Sequence, residues 1–162
     1  MRIVRLSALL PILLSFGAAT LLSSAEPAPV PEKFNASIGG FGLSYTVELR
    51  NGVLLYTEND FRRGKPVAPQ RITPTPEQWR EFRRTLDAAG VWNWQKRYPS
   101  AGTVDGTQWS FAVAYGGRVS NSAGDNNYPG TDGKPTGDPM PTKTFERVRA
   151  AISALLGGRK FQ

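Results

Sequence analysis

The chain has 162 residues, no Cys, no His, and a formal charge of +7 from 20 basic and 13 acidic side chains. Without Cys there are no disulfides and no thiolate nucleophile. Without His there is no imidazole base, no Ser–His pair and no imidazole zinc site, so any catalysis would fall to carboxylates, Lys, Tyr or Arg.

Residues 1–25 read as a secretory signal peptide. Arg2 and Arg5 form a cationic start, Leu6 to Leu22 an apolar core, and Ser23-Ser24-Ala25 a small-residue cleavage site. Pro11 and Gly17 break the apolar run, which falls short of the roughly 20 residues a membrane span needs. A retained anchor is the rival reading. Cleavage after Ala25 predicts an exported protein, periplasmic or extracellular, with no stable membrane span. The mature chain would keep 137 residues, enough for one domain, and a charge of +5 once Arg2 and Arg5 leave. That excess favours an anionic envelope component or another exported protein as partner. The basic residues are scattered, however, the densest runs being Arg62-Arg63 with Lys65 and Arg80 with Arg83-Arg84. No nucleic-acid reading module is recognisable, and no nucleic-acid partner is expected.

Residues 26–33 form a Pro/Ala-rich leader with Pro27, Pro29 and Pro31 at alternate positions, a composition that favours extended backbone. A single α+β domain is expected over 34–158, followed by a tail at 159–162. Phe41, Leu43, Tyr45, Val47 and Leu49 alternate with small or polar residues, predicting a strand with one buried face. Asn51-Gly52 predicts a type I′ hairpin turn, and a two-residue loop sets Leu49 opposite Leu54 and Val47 opposite Tyr56. After a basic connection, Thr75, Pro76, Glu77 and Gln78 make a helix start with a capping box. Trp79, Phe82 and Leu86 share its apolar face, and Gly90 is placed to end it.

The second half follows the same plan. Trp109, Phe111, Val113 and Tyr115 alternate, Gly116-Gly117 turns the chain, and Arg118 to Ala123 returns. With that turn Arg118 and Ser120 share the apolar face, which predicts a bulge at Gly117 or an edge strand. A Gly/Pro-rich loop runs from Gly124 to Pro141. Thr142 then caps a helix bearing Phe145, Val148, Ile152 and Leu155, stopped by Gly157-Gly158. Trp79 and Phe145, Phe82 and Val148, and Leu86 and Ile152 are each 66 residues apart. The expected fold is therefore α+β with two hairpin-plus-helix units (ββα-ββα). They would form a four-stranded antiparallel sheet with both helices packed on one face.

Val91 to Trp109 is the stretch richest in chemistry. Trp92, Trp94, Tyr98 and Trp109 offer rings for stacking a sugar or a cation, or else for closing one end of the core. Trp94, Tyr98, Asp105-Gly106 and Trp109, then Ser122, Gly124, Asn126 and Tyr128-Pro129, resemble a signature of small, uncharacterised bacterial exported domains. Those carry a W…Y…DG..W strand and an S.G.N.YP turn; the resemblance covers about residues 91–129 and implies a fold without an activity. Asp105, Asp125, Asn126, Asn127, Asp132 and Asp138 raise a calcium loop. Counting from Asp125, however, Pro129 takes the fifth position and Thr136 the twelfth, so no metal or other cofactor is expected. A carboxylate pair for glycoside hydrolysis would have to come from Glu48, Glu58, Asp60 and Asp105, and no spacing marks one. The functional expectation is an exported, non-enzymatic binding module. Its candidate residues are Trp92, Trp94, Tyr98, Asp105, Trp109, Asn126 and Tyr128. The alternatives are a carboxylate-dependent hydrolase of envelope polymers, with Asp105 as its candidate, and an inhibitor of a secreted enzyme that inserts the Gly124–Pro141 loop.

Overall fold

A computed structural model describes residues 30–64, 67–100 and 106–162. The expected signal peptide, the leader as far as residue 29, Lys65 and Asp105 lie outside the described residues, as does the side chain of Arg63.

Strand β1, Lys33–Gly39, buries Phe34, Ala36 and Ile38 and turns Asn35 and Ser37 the other way. Strands β2, Leu43–Arg50, and β3, Val53–Asp60, form the hairpin that their alternation predicts. Asn51 and Gly52 take φ of 51° and 76°, Leu49 opposes Leu54, and Val47 opposes Tyr56. Strand β4, Gln70–Ile72, adds an edge to β3. Helix α1, Pro76–Ala88, starts on the full capping box. The Thr75 hydroxyl accepts the Gln78 N–H at 3.2 Å, and Gln78 Oε1 accepts the Thr75 N–H at 2.8 Å. A short turn at Val91–Asn93 leads to β5, Arg97–Tyr98. Strands β6, Gln108–Tyr115, and β7, Arg118–Asp125, precede helix α2, Lys143–Leu155, which Thr142 caps.

The strands join in one sheet in the order β4-β3-β2-β1-β6-β7-β5. This overturns the four-stranded antiparallel sheet of two ββα units: the sheet has seven strands and is mixed, since β5 runs parallel to β7. The two hairpins never meet. β1 lies between them, antiparallel to β2 on one side and to β6 on the other. Its apolar face is short and includes only an Ala between Phe34 and Ile38, so period two was faint there. β4 and β5 are too short to show a period at all.

The β6–β7 hairpin corrects the expected bulge. Its register runs unbroken from Tyr115 opposite Arg118 to Gln108 opposite Asp125. The core tolerates this register because Ser120 and Ser122 are small enough to be buried opposite Val113 and Phe111, while Val119 is 65 % exposed on the far face. Over residues 118–122, β7 is an edge, since β5 pairs only with Ala123 and Gly124.

Both helices lie on one face. Phe82 meets Phe34 at 5.0 Å between ring centres, and Phe145 meets Trp109 at 4.7 Å. Residues 159–162, read as a tail, carry the buried Phe161 onto the same layer, where the Tyr56 hydroxyl donates to the Lys160 carbonyl at 2.9 Å. Neither helix covers the opposite face, across which Thr57, Thr46, Ser37 and Ser110 make one lateral row. The hydroxyls of Ser37 and Ser110 lie 2.8 Å apart.

Candidate functional site

Of the aromatic residues singled out in the sequence, all but Trp92 come together, and they do so inward. Trp94, Tyr98, Trp109 and Tyr128 are buried and pack with Phe111 and Phe145. Trp109 Nε1 donates to the Asn127 carbonyl at 3.0 Å, and the Tyr98 hydroxyl donates to the Gly133 carbonyl at 2.5 Å. Large rings of this kind gain most by leaving water, and here they close the end of the core beneath the 124–141 loop. They present no exposed stacking platform.

Trp92 stands apart, half-buried between two cations. The guanidinium carbons of Arg83 and Arg118 lie 4.9 Å and 4.6 Å from its ring centre. Its Nε1 donates to Asp87 at 2.7 Å, and Asp87 also accepts from Arg83 at 2.9 Å and Arg118 at 3.1 Å. Partial burial pushes the Asp87 carboxyl up, but hydrogen bonds from Arg83 and Trp92 and the two positive charges outweigh it and hold it below the ordinary carboxylate range. The cluster satisfies itself and fastens α1 to β7.

The remaining residues of the signature also serve the loop's geometry. Asn126, at φ 43°, accepts the Thr107 N–H on its side chain at 2.8 Å and donates its own N–H to the Thr107 carbonyl at 3.0 Å. Asn127, which the candidate set missed, is buried. It donates to the Pro99 carbonyl at 2.9 Å and accepts the Gly137 N–H at 3.1 Å. The loop is thus tied down along its length. Asp132 and Asp138 accept backbone N–H groups of Lys134 and Met140 within it. Among the described residues no group of three acidic side chains is placed to hold a metal ion, and no helix is long and apolar enough to cross a membrane. Of the hydrolase carboxylates, Glu48 pairs with Arg50 at 2.9 Å on the uncovered face, whereas Glu58 and Asp60 alternate onto the other face of β3. Glu48 therefore faces away from Glu58 and Asp60.

The uncommitted surface lies beside the 124–141 loop, at the same end of the sheet, in the connection between β1 and β2, where Gly39 pairs with Gln108 and Gln108 with Asp125. The sequence reading put Phe41 on the buried face of a strand, but it is 88 % exposed. Gly42 explains the difference. Its φ of +119° is open to glycine and strained for other residues; it turns the chain out of the strand, so β2 starts only at Leu43. The Phe61 N–H donates to the Gly42 carbonyl at 3.0 Å, and Asp60 caps the turn that carries Phe61 by accepting the Arg62 N–H at 3.0 Å. Phe61 is 71 % exposed and Leu43 47 %. The loop stands between two depressions of about 640 and 740 Å³, both lined by Gly39–Gly42 and Gly106. The glycines around Phe41 were the one available sequence signal for this exposure. Period two runs straight through them and hid it.

The chain matches no family model and no curated protein.

Proposed function

We propose that this protein is an exported, non-catalytic interaction module that engages another exported protein through the Gly39–Leu43 loop and Phe61. The observation that carries this reading is the clustering of Phe41, Leu43 and Phe61, all exposed, on backbone held by its own hydrogen bonds. Burying side chains of this size is worth about 1.5–3 kcal/mol each. A contiguous exposed apolar patch with a polar rim is the usual mark of a protein interface. A fixed loop also loses little entropy on docking. The export half of the reading rests on residues 1–25 alone.

The inhibitor reading draws on one specific observation as well. The Gly124–Pro141 loop is pinned to the body, so a segment that enters a partner's cleft would be the Phe41 loop, whose ring stands clear between two depressions.

The test is site-specific photocrosslinking in the exporting cell with Phe41→p-benzoylphenylalanine, beside Val119→p-benzoylphenylalanine at the far end of the sheet. One discrete protein adduct from position 41, absent from position 119, is expected. Equal labelling from both positions, or none from 41, removes the reading.

A further inference from the structure

Two buried hydroxyls and one buried indole N–H sit along a single strip of the core. After α1, the Val91–Asn93 turn and the residue that follows it set Trp92 against Tyr115 and Trp94 against Phe111, at 6.4 Å and 5.6 Å between ring centres. Beside these rings runs the inward row of β7. Its members are Arg118, Ser120, Ser122 and Gly124, opposite Tyr115, Val113, Phe111 and Trp109. Both ends of the row are engaged, Arg118 with Trp92 and Gly124 with Trp109. The middle is not. Ser120 Oγ, Ser122 Oγ and Trp94 Nε1 are shut off from solvent and have no hydrogen-bond partner among the described residues. Ser122 opposes the Phe111 on which the Trp94 ring packs, and Ser120 lies two residues before it on the same face. An unpaired buried polar group costs stability, and folded chains almost always supply it with a partner.

We propose that this strip is an internal hydration site, in which resident water bridges the Trp94 indole N–H to the hydroxyls of Ser122 and Ser120 and fastens the 91–94 segment to β7. The site is independent of the interaction reading above. The three groups select water by their hydrogen-bond capacities. An indole N–H can only donate, so its ligand must accept. A serine hydroxyl both donates and accepts, and a small neutral molecule with both capacities matches it. A cation would find no charged oxygen among these groups. An anion would be buried without a free counter-charge, because Arg83 and Arg118 already pair with Asp87. An apolar molecule would leave all three groups unpaired. Room comes from the small side chains: Ser120 and Ser122 lie across from Val113 and Phe111, so the row is narrow where its neighbour is broad. About three polar partners are also what a buried water ordinarily has.

A high-resolution crystal structure of the protein purified from the exporting cell tests this directly. Ordered density within hydrogen-bond reach of both Trp94 Nε1 and Ser122 Oγ is expected. The sign of a stability change gives a second reading. Where water holds the hydroxyl, Ser122→Ala breaks a hydrogen bond and should lower the folding equilibrium constant in urea titrations by about two- to tenfold. Where the hydroxyl is buried dry, the same change removes an unpaired group and raises that constant. Ser120→Ala should act in the same direction. The double variant should lose less than the two single losses combined, because both serines hold the same water. Absence of the density, or a Ser122→Ala protein more resistant to urea than the parent, overturns the proposal. Fully additive losses overturn the shared bridge. Density that exchanges for bromide in a soaked crystal replaces the water by an anion. Should Ser122→Ala fail to fold, the density in the parent protein decides alone.

Discussion

Gly124 shows how a single missing side chain decides whether an aromatic core can close. A Cβ there would sit 2.4 Å from Trp109 Nε1 and 2.7 Å from the Asn127 carbonyl oxygen. The Trp109 ring cannot retreat, since Trp94, Tyr98, Tyr128 and Phe145 surround it and its N–H is held by Asn127. Gly124→Ala should therefore lower stability by about 1–3 kcal/mol, the usual cost of overpacking a filled site. Thermal melting checks it, and an unchanged midpoint would mean that the ring has room to move. The same residues answer what the signature positions do. Trp94, Tyr98, Trp109, Gly124, Asn126 and Tyr128 were legible in the sequence as a set, but a ring that stacks on a ligand and a ring that stacks on Phe145 look identical there. Phe41 shows the converse error: the pattern assigned it to the interior, and one glycine dihedral turned it outward.

At the scale of elements, the strand that matters most is the one with the faintest pattern. β1 pairs with β2 and β6 along nearly its whole length and, among the described residues, is the strand that joins the two hairpins into one sheet. Phe34, on this strand, touches Phe82 of α1 at 5.0 Å and Phe111 of β6 at 6.1 Å. Phe34→Ala should cost about 3–5 kcal/mol, as truncation of a buried aromatic does, and Val119→Ser on the exposed face of β7 close to nothing. Urea midpoints for the two variants measure the contrast, and equal midpoints would show that β1 is not the keystone. Helix boundaries were much easier to read. Thr75 with Gln78, Thr142, and the glycines past each helix act through their immediate neighbours, so capping chemistry is visible in a few consecutive residues.

At the scale of the whole molecule, burial of phenols sets the alkaline limit of the fold. Burial pushes Tyr98 and Tyr56 up to about 12, and raises Tyr115 further in the same direction. A raised value in the folded state means that folding favours the neutral phenol. This stabilisation is fully present below the ordinary value of 10.0 and is lost as pH rises through the shifted values near 12. Phenolate absorbance and far-ultraviolet circular dichroism, followed together, should report one joint transition for these residues. Phenolates forming near the ordinary value with the dichroism intact would contradict the burial. By itself the sequence determined the register of the first hairpin, both helices with their caps, and four rings of the aromatic cluster, Trp94, Tyr98, Trp109 and Tyr128, while the export signal of residues 1–25 stands as an expectation. Each of these depends on residues near one another along the chain or on a repeated period. Only the tertiary structure decided that β1 separates the hairpins, that β4 and β5 extend the sheet to seven strands, and that Trp94 and Trp109 point inward while Phe41 points out. Those features follow from pairings between distant segments and from which face of the sheet the helices cover, and a one-dimensional pattern carries neither.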